Sequence, residues 1–310
     1  MDKLDRRQFM KKAAIAGGVA IGSSMLPDVA FAAGGHEKAD FGKNFAVLYD
    51  STKCIGCRLC EMACNKTNNL TAPEIDFRDL RVLGRIRRTD RTTHTVINQY
   101  FPYDRDARMK DKPVFIKKQC MHCNEPACVS ACIVNALIKT PEGPVKYDAS
   151  RCIGCRYCLI ACPFQIPVYE YDKPLLPLVM KCSLCAHRIP DKLPACVDVC
   201  PQEAMIFGRR EDILVLAHEL IRRKSEIYAP EIYGEFTAGG TSWLYLLPVS
   251  YKKVGLPDYG DDPAPKLSET IQHNVFKYFV PPVALYIILG LIMYRSNYMA
   301  QKTEEKRKGG

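Results

Sequence analysis

The 310-residue sequence lacks the fingerprints by which many enzymes declare their chemistry. It has no P-loop, no glycine-rich dinucleotide fingerprint and no grouping of Ser, His and Asp, so nothing in it points to a substrate pocket. It also lacks stray cysteines, because all 16 fall into four quartets. These are Cys54, Cys57, Cys60, Cys64; Cys120, Cys123, Cys128, Cys132; Cys152, Cys155, Cys158, Cys162; and Cys182, Cys185, Cys196, Cys200. Cysteine at about 5% is well above ordinary usage but below the density of a small disulfide-knotted secreted domain. Apolar residues make up 47% of the chain, which excludes disorder and suits two modest domains with additions.

The run Arg151-Cys-Ile-Gly-Cys-Arg-Tyr-Cys-Leu-Ile-Ala-Cys-Pro163 nearly repeats Lys53-Cys-Ile-Gly-Cys-Arg-Leu-Cys-Glu-Met-Ala-Cys64. C-x2-C-x2-C-x3-C-P is the bacterial ferredoxin spacing, in which three cysteines wrap one iron–sulfur cubane and the fourth reaches across to another. The third quartet with Pro163 matches it in full, and the first has Asn65 in place of the proline. Gly56 and Gly154 let backbone amides approach the cluster and donate to its sulfurs. Structural zinc prefers C-x2-C knuckles separated by longer loops, and cysteines this close rarely bridge without strain. The second and fourth quartets have wider gaps, Cys123 to Cys128 and Cys185 to Cys196, and in isolation would pass for zinc sites.

A repeat joins them to the ferredoxin runs. Ala46-Val-Leu-Tyr-Asp-Ser-Thr-Lys-Cys54 aligns with Pro144-Val-Lys-Tyr-Asp-Ala-Ser-Arg-Cys152, and Pro126-Ala-Cys-Val-Ser-Ala-Cys132 with Pro194-Ala-Cys-Val-Asp-Val-Cys200. The order along the chain is A, B, A′, B′, two copies of one supersecondary unit. Short strands are expected at 143–148 and 204–208, a helical turn around Glu61 to Cys64, and an amphipathic helix over 212–224 in which His218 is structural. Within the insertion 65–119, the segments 81–87 and 93–97 read as the strands of a hairpin with their arginines on a solvated face. Residues 255–265, rich in Pro and Asp, read as a linker.

The formal charge is +10 with thiols counted as neutral. Four oxidised four-iron clusters of about −2 each would contribute about −8, so the excess of cations has an internal explanation and nucleic acid is not required as a partner. Lys53, Arg58, Lys117, Lys118, Arg151, Arg156, Lys181 and Arg188 all flank the quartets, some of them as ordinary solvated surface.

Both ends read as addresses. Residues 1–33 carry a twin-arginine pattern, Asp5-Arg-Arg-Gln-Phe-Met-Lys-Lys12, then a short apolar stretch interrupted by Gly and Ser, then Ala30-Phe-Ala32. Such export delivers folded, cofactor-loaded protein, whereas bare thiols threaded into the periplasm would meet oxidising conditions. Tyr278 to Tyr294 is an uncharged run of 17 residues inside an expected transmembrane helix 275–295. Basic residues follow in 296–310, the signature of a cytoplasmic end. These signals place the main body on the periplasmic side of the inner membrane, with a single pass through the bilayer.

Over roughly residues 44–250 the sequence resembles the four-cluster ferredoxin-like subunits of periplasm-facing respiratory oxidoreductases. Lys118-Gln-Cys-Met-His-Cys123, Cys152-Ile-Gly-Cys-Arg-Tyr-Cys158, Tyr233-Gly-Glu-Phe-Thr-Ala-Gly-Gly-Thr241 and Ile271-Gln-His273 carry the likeness. With the signal and the terminal helix added, it is most similar to the electron-transfer subunits of membrane-bound [NiFe] hydrogenases of the hydrogenase-2 type. Formate dehydrogenase iron–sulfur subunits are similar in the first three regions but usually travel without their own signal.

The resemblance implies an α+β fold of two ferredoxin-like 2[4Fe-4S] units at 44–210, an extension and linker at 211–274, and four [4Fe-4S] clusters with crossed ligation. Cys54, Cys57 and Cys60 would share the first cluster with Cys200, and Cys182, Cys185 and Cys196 the second with Cys64. Cys120, Cys123 and Cys128 would take Cys162 for the third, and Cys152, Cys155 and Cys158 would take Cys132 for the fourth. Ile133 departs from relatives that often carry proline there, which bears on solvent shielding of a cluster. The implied partners are hydrogenase small and large subunits, a quinone-reactive integral membrane subunit that His273 would approach, and the twin-arginine export machinery. The expected role is electron relay in anaerobic respiration; the rivals are a cluster-stabilised docking scaffold and a self-contained enzyme, the latter disfavoured because all sixteen thiolates are committed.

Overall fold

The computed structural model describes residues 41–102, 112–174, 177–277 and 286–299. The twin-arginine segment 1–33, residues 278–285 of the expected membrane helix and residues 300–310 of the basic tail lie outside that range. Strand β1 (Phe45–Asp50) is an apolar run buried along nearly its whole length, as expected of a central strand covered on both faces. It is followed by α1 (Leu59–Thr67), β2 (Thr95–Tyr100), β3 (Val114–Gln119), α2 (Ala127–Ser130), β4 (Leu137–Lys139) and β5 (Val145–Tyr147). Then come α3 (Tyr157–Ala161), β6 (Val168–Tyr169), β7 (Val179–Met180), α4 (Ala195–Asp198), β8 (Met205–Arg209), α5 (Arg210–Arg223), β9 (Trp243–Leu246) and α6 (Lys266–Lys277).

The sheets show how the repeat folds. β1 pairs antiparallel with β8 and parallel with β9, while β4 and β5 form a hairpin. Likewise α1 packs on α4, and α2 on α3. The spatial units are therefore A with B′ and B with A′, one nested inside the other, and not the tandem halves A–B and A′–B′. The two copies match in conformation: Gly56 and Gly154 both have φ 72°, and Arg58 and Arg156 have φ 62° and 63°. Each ligand loop also starts from the same turn, with Asp50 Oδ1 accepting from Thr52 N and Asp148 Oδ1 from Ser150 N.

The expected strands and amphipathic helix are present as β5, β8 and α5. The hairpin expected inside the insertion is not: Leu80–Gly84 is a 3-10 helix, and β2 pairs with β3 instead, with Ile97 opposite Lys117. Its arginines do not all face solvent either. Arg87 donates to Glu61 through Nη1 at 3.0 Å and Nη2 at 2.6 Å, and to the Ile97 carbonyl. Arg58 completes a buried triad on the same carboxylate and binds three carbonyls at Asp76, Phe77 and Asp79. The alternation in the sequence was pre-empted by a buried acid that needs two cations.

Residues 255–265 join the body more closely than a free linker would. The amides of Ala238 and Gly239 donate to the carbonyls of Gly260 and Asp261, and Tyr259 bonds the Pro163 carbonyl. Among the described residues no helix is long and apolar enough to cross a membrane; residues 286–299 are helical with exposed side chains.

Candidate metal centres

Three cavities lie among the quartets, and each is lined by three cysteines of one quartet and the last cysteine of another. The first is lined by Cys54, Cys57, Cys60 and Cys200 together with Tyr49 and Ile97. A second is lined by Cys64, Cys182, Cys185 and Cys196 with Lys117 and Trp243. A third is lined by Cys120, Cys123, Cys128 and Cys162 with Pro163 and Lys181. The remaining four also assemble, Cys158 facing Cys132, Cys152 and Cys155, in a more open setting where Cys155 is exposed and the neighbouring Ile133 is 70% exposed.

The nested pairing of strands explains this crossing. α1 carries Cys60 and Cys64 on one face a full turn apart, so one joins the loop sulfurs of its own quartet and the other, further along the helix, reaches the quartet beside α4. Left-handed backbone at Gly56 and Arg58 folds the loop around the sulfurs, and at Gly56 a Cβ would lie 2.4 Å from the Phe115 ring.

The donor set fits iron–sulfur cubanes. All sixteen cysteines are free, and among the described residues no group of three or more His, Cys, Asp or Glu side chains is arranged to hold a single metal ion. The sulfurs ring a space instead of converging on a point, as a bulky cluster requires. Backbone amides point at several of them: Ala136 N lies 3.1 Å from Cys132 Sγ, Leu184 N 3.3 Å from Cys182 Sγ and Ala204 N 3.4 Å from Cys200 Sγ. Burial pushes the thiols of Cys128 and Cys182 up to about 12 and that of Cys158 up to about 11, helped by the sulfurs around them. Without iron these groups stay protonated at neutral pH, so metal binding must release protons and its free energy becomes folding free energy.

The flanking cations divide sharply. Arg151 is exposed, whereas Arg58, Lys117 and Lys181 are 2%, 1% and 6% exposed. Lys117, already named among the flanking cations, belongs to the site together with Gln119 and Trp243, which the sequence did not single out. Lys117 and Gln119 lie on β3, which runs directly into Cys120, and Trp243 opens β9; alternation along a strand does not by itself distinguish an inward lysine from an outward one. His218 pairs with Glu235 at 2.9 Å, in keeping with a structural role. His273 falls in α6, and its side chain lies outside the described residues.

This is a ferredoxin-like assembly of helix and strand that presents thiolates for iron–sulfur clusters, and residues 111–210 match the 4Fe-4S dicluster domain family. The Hydrogenase-2 operon protein HybA of Escherichia coli O157:H7 is 35% identical over 94% of this chain and 96% of its own length. A protein of Nitratidesulfovibrio vulgaris is 44% identical over 85% of this chain and 70% of its own. The Formate dehydrogenase-O iron-sulfur subunit of Escherichia coli K12 is 33% identical over 75% and 76%. The chain belongs to this family of iron–sulfur electron-transfer subunits, shared by hydrogenase-2 and formate dehydrogenase relatives.

Proposed function

We propose that the chain conducts electrons through four [4Fe-4S] clusters, from the catalytic subunits of a respiratory [NiFe] hydrogenase to a quinone-reactive membrane subunit. The observation that carries this reading is the crossed grouping of cysteines around the cavities, which gives every sulfur a place and leaves none for a substrate. Bound cubanes supply reversible one-electron chemistry. The residues of the chain hold them by thiolate, screen them from water and set their potentials through amide donors and buried cations.

In this reading Cys54, Cys57, Cys60 and Cys200 hold one cluster, Cys64, Cys182, Cys185 and Cys196 the second, Cys120, Cys123, Cys128 and Cys162 the third, and Cys132, Cys152, Cys155 and Cys158 the fourth. Residues 1–33 direct twin-arginine export, residues 275–295 anchor the chain in the inner membrane with its body in the periplasm, and His273 lies on the quinone side. The likeness to HybA along nearly the whole chain supports the hydrogenase partner. Likeness to formate dehydrogenase subunits supports a second reading, in which the donor is a molybdenum or tungsten enzyme. Purifying the intact membrane complex separates them: nickel and hydrogen-dependent quinone reduction are expected, and molybdenum or tungsten with formate-dependent reduction would replace the first reading by the second.

A further inference from the structure

Lys117 is a buried cation with neutral hydrogen-bond partners. Its Nζ donates to Thr95 Oγ1 at 2.7 Å and Gln119 Oε1 at 3.1 Å and lies 4.3 Å from the centre of the Trp243 ring. The side chain lines the cavity of Cys64, Cys182, Cys185 and Cys196. The sulfurs of Cys196, Cys60 and Cys182 lie near enough to favour the charged ammonium once a cluster holds them as thiolates. Cys60 belongs to the neighbouring cavity, so the ammonium sits between two cysteine sets. A charge this buried is tolerable only when balanced, and the balancing charge here is on sulfur.

Trp243 adds an independent sign. Its ring is wholly buried, it lines the same cavity, and its indole N–H has no acceptor in the protein. A buried indole donor ordinarily finds a partner, and a cluster sulfur held in this cavity would supply one.

We propose that Lys117, clamped by Thr95 and Gln119 against Trp243, is a positioning residue that raises the reduction potential of the cluster held by Cys64, Cys182, Cys185 and Cys196. The cluster held by Cys54, Cys57, Cys60 and Cys200 is raised less. This rests on the cluster reading above. Reduction adds one negative charge to a cluster, and a fixed cation beside it stabilises the reduced form more than the oxidised form. At an effective dielectric of about 20 and a separation of several ångströms, that preference amounts to more than a factor of ten in the reduction equilibrium. The conductor then has a high-potential station at its second site, where electrons collect before moving on.

The test is a redox titration, followed by electron paramagnetic resonance, of the anaerobically purified, iron-loaded full-length protein. Lys117→Met should shift at least one cluster to lower potential by tenfold or more in the equilibrium, about 59 mV for a one-electron couple. Lys117→Arg, which keeps the charge, should restore most of it. Gln119→Glu places a compensating anion against the ammonium at nearly constant shape and should shift the same cluster in the same direction. Full iron content in Lys117→Met with unmoved potentials overturns the proposal. If Lys117→Met does not load iron, Gln119→Glu decides: a shift supports the proposal and an unmoved potential overturns it. Absence of iron from the wild-type protein would instead overturn the cluster reading itself.

Discussion

Glu61 and Arg87 meet at 2.6 Å in a buried ion pair that ties the insertion to helix α1, next to Cys60. The Glu61 side chain is 0% exposed and accepts from Arg58, Arg87 and the Ile97 amide. Breaking a buried pair on one side leaves charge uncompensated, which costs roughly 3–5 kcal/mol. Glu61→Gln strands two guanidinium groups and is expected to lower stability by that order. Denaturant unfolding of the iron-loaded protein reads it directly, and a loss below about 1 kcal/mol contradicts the account.

The matched glycines should respond unequally. A Cβ at Gly56 would lie 2.4 to 2.9 Å from three atoms of the Phe115 ring, whereas at Gly154 the close atom is the Tyr169 hydroxyl at 2.8 Å, the end of a side chain that can swing away. Both positions carry the left-handed penalty of about 1–2 kcal/mol, and overpacking adds about 1–3 kcal/mol at Gly56. Gly56→Ala is therefore expected to lose more stability and more iron than Gly154→Ala, as shown by paired melting curves and iron assays.

The crossed grouping of cysteines makes a pairing prediction. Cys162 shares a cavity with Cys120, Cys123 and Cys128, not with the first three cysteines of its own run. Cys120→Ser combined with Cys162→Ser should therefore damage one cluster, no more than Cys120→Ser alone, because the two act on one unit. Cys152→Ser combined with Cys162→Ser should damage two. Resonance signals and iron counts distinguish the outcomes, and the reverse pattern would assign Cys162 to its sequence neighbours.

His94 is 7% exposed and neither ring nitrogen has a partner. Burial, aided by nearby Lys181, depresses its pKa from 6.5 to about 4. The unfolded chain binds this proton near pH 6.5 and the folded chain only near pH 4, so the stability His94 confers is complete above 6.5 and fades as pH falls between them. At pH 5 the loss is on the order of 2 kcal/mol. Replacing His94 with Leu should flatten the acid limb between pH 7 and 5 in chemical unfolding; an unchanged slope would remove the histidine from the explanation.

The cysteine quartets were legible in the sequence because cluster binding demands thiolates at fixed spacing, and the repeat exposed the less regular ones. What the linear order concealed is the nesting. Strand β1 finds its neighbours more than 150 residues away at Arg209 and Trp243, and no local pattern encodes such a pairing. The insertion departs from its sequence expectation for a related reason: 81–87 reads like a strand, but Arg87 is drawn to Glu61, a partner that only α1 brings into place. Lys117 was not separable from the other flanking cations because the groups that enclose it, Thr95 and Trp243, come from other strands.

The account stands on cysteine-bound cubanes, four to a chain, that take and return electrons. Iron and acid-labile sulfide in the anaerobically purified protein should each come to about sixteen per chain. Dithionite should bleach the visible absorbance, and air-free reoxidation should restore it. Zinc in place of iron, or iron whose spectrum does not cycle between reductant and oxidant, would contradict it.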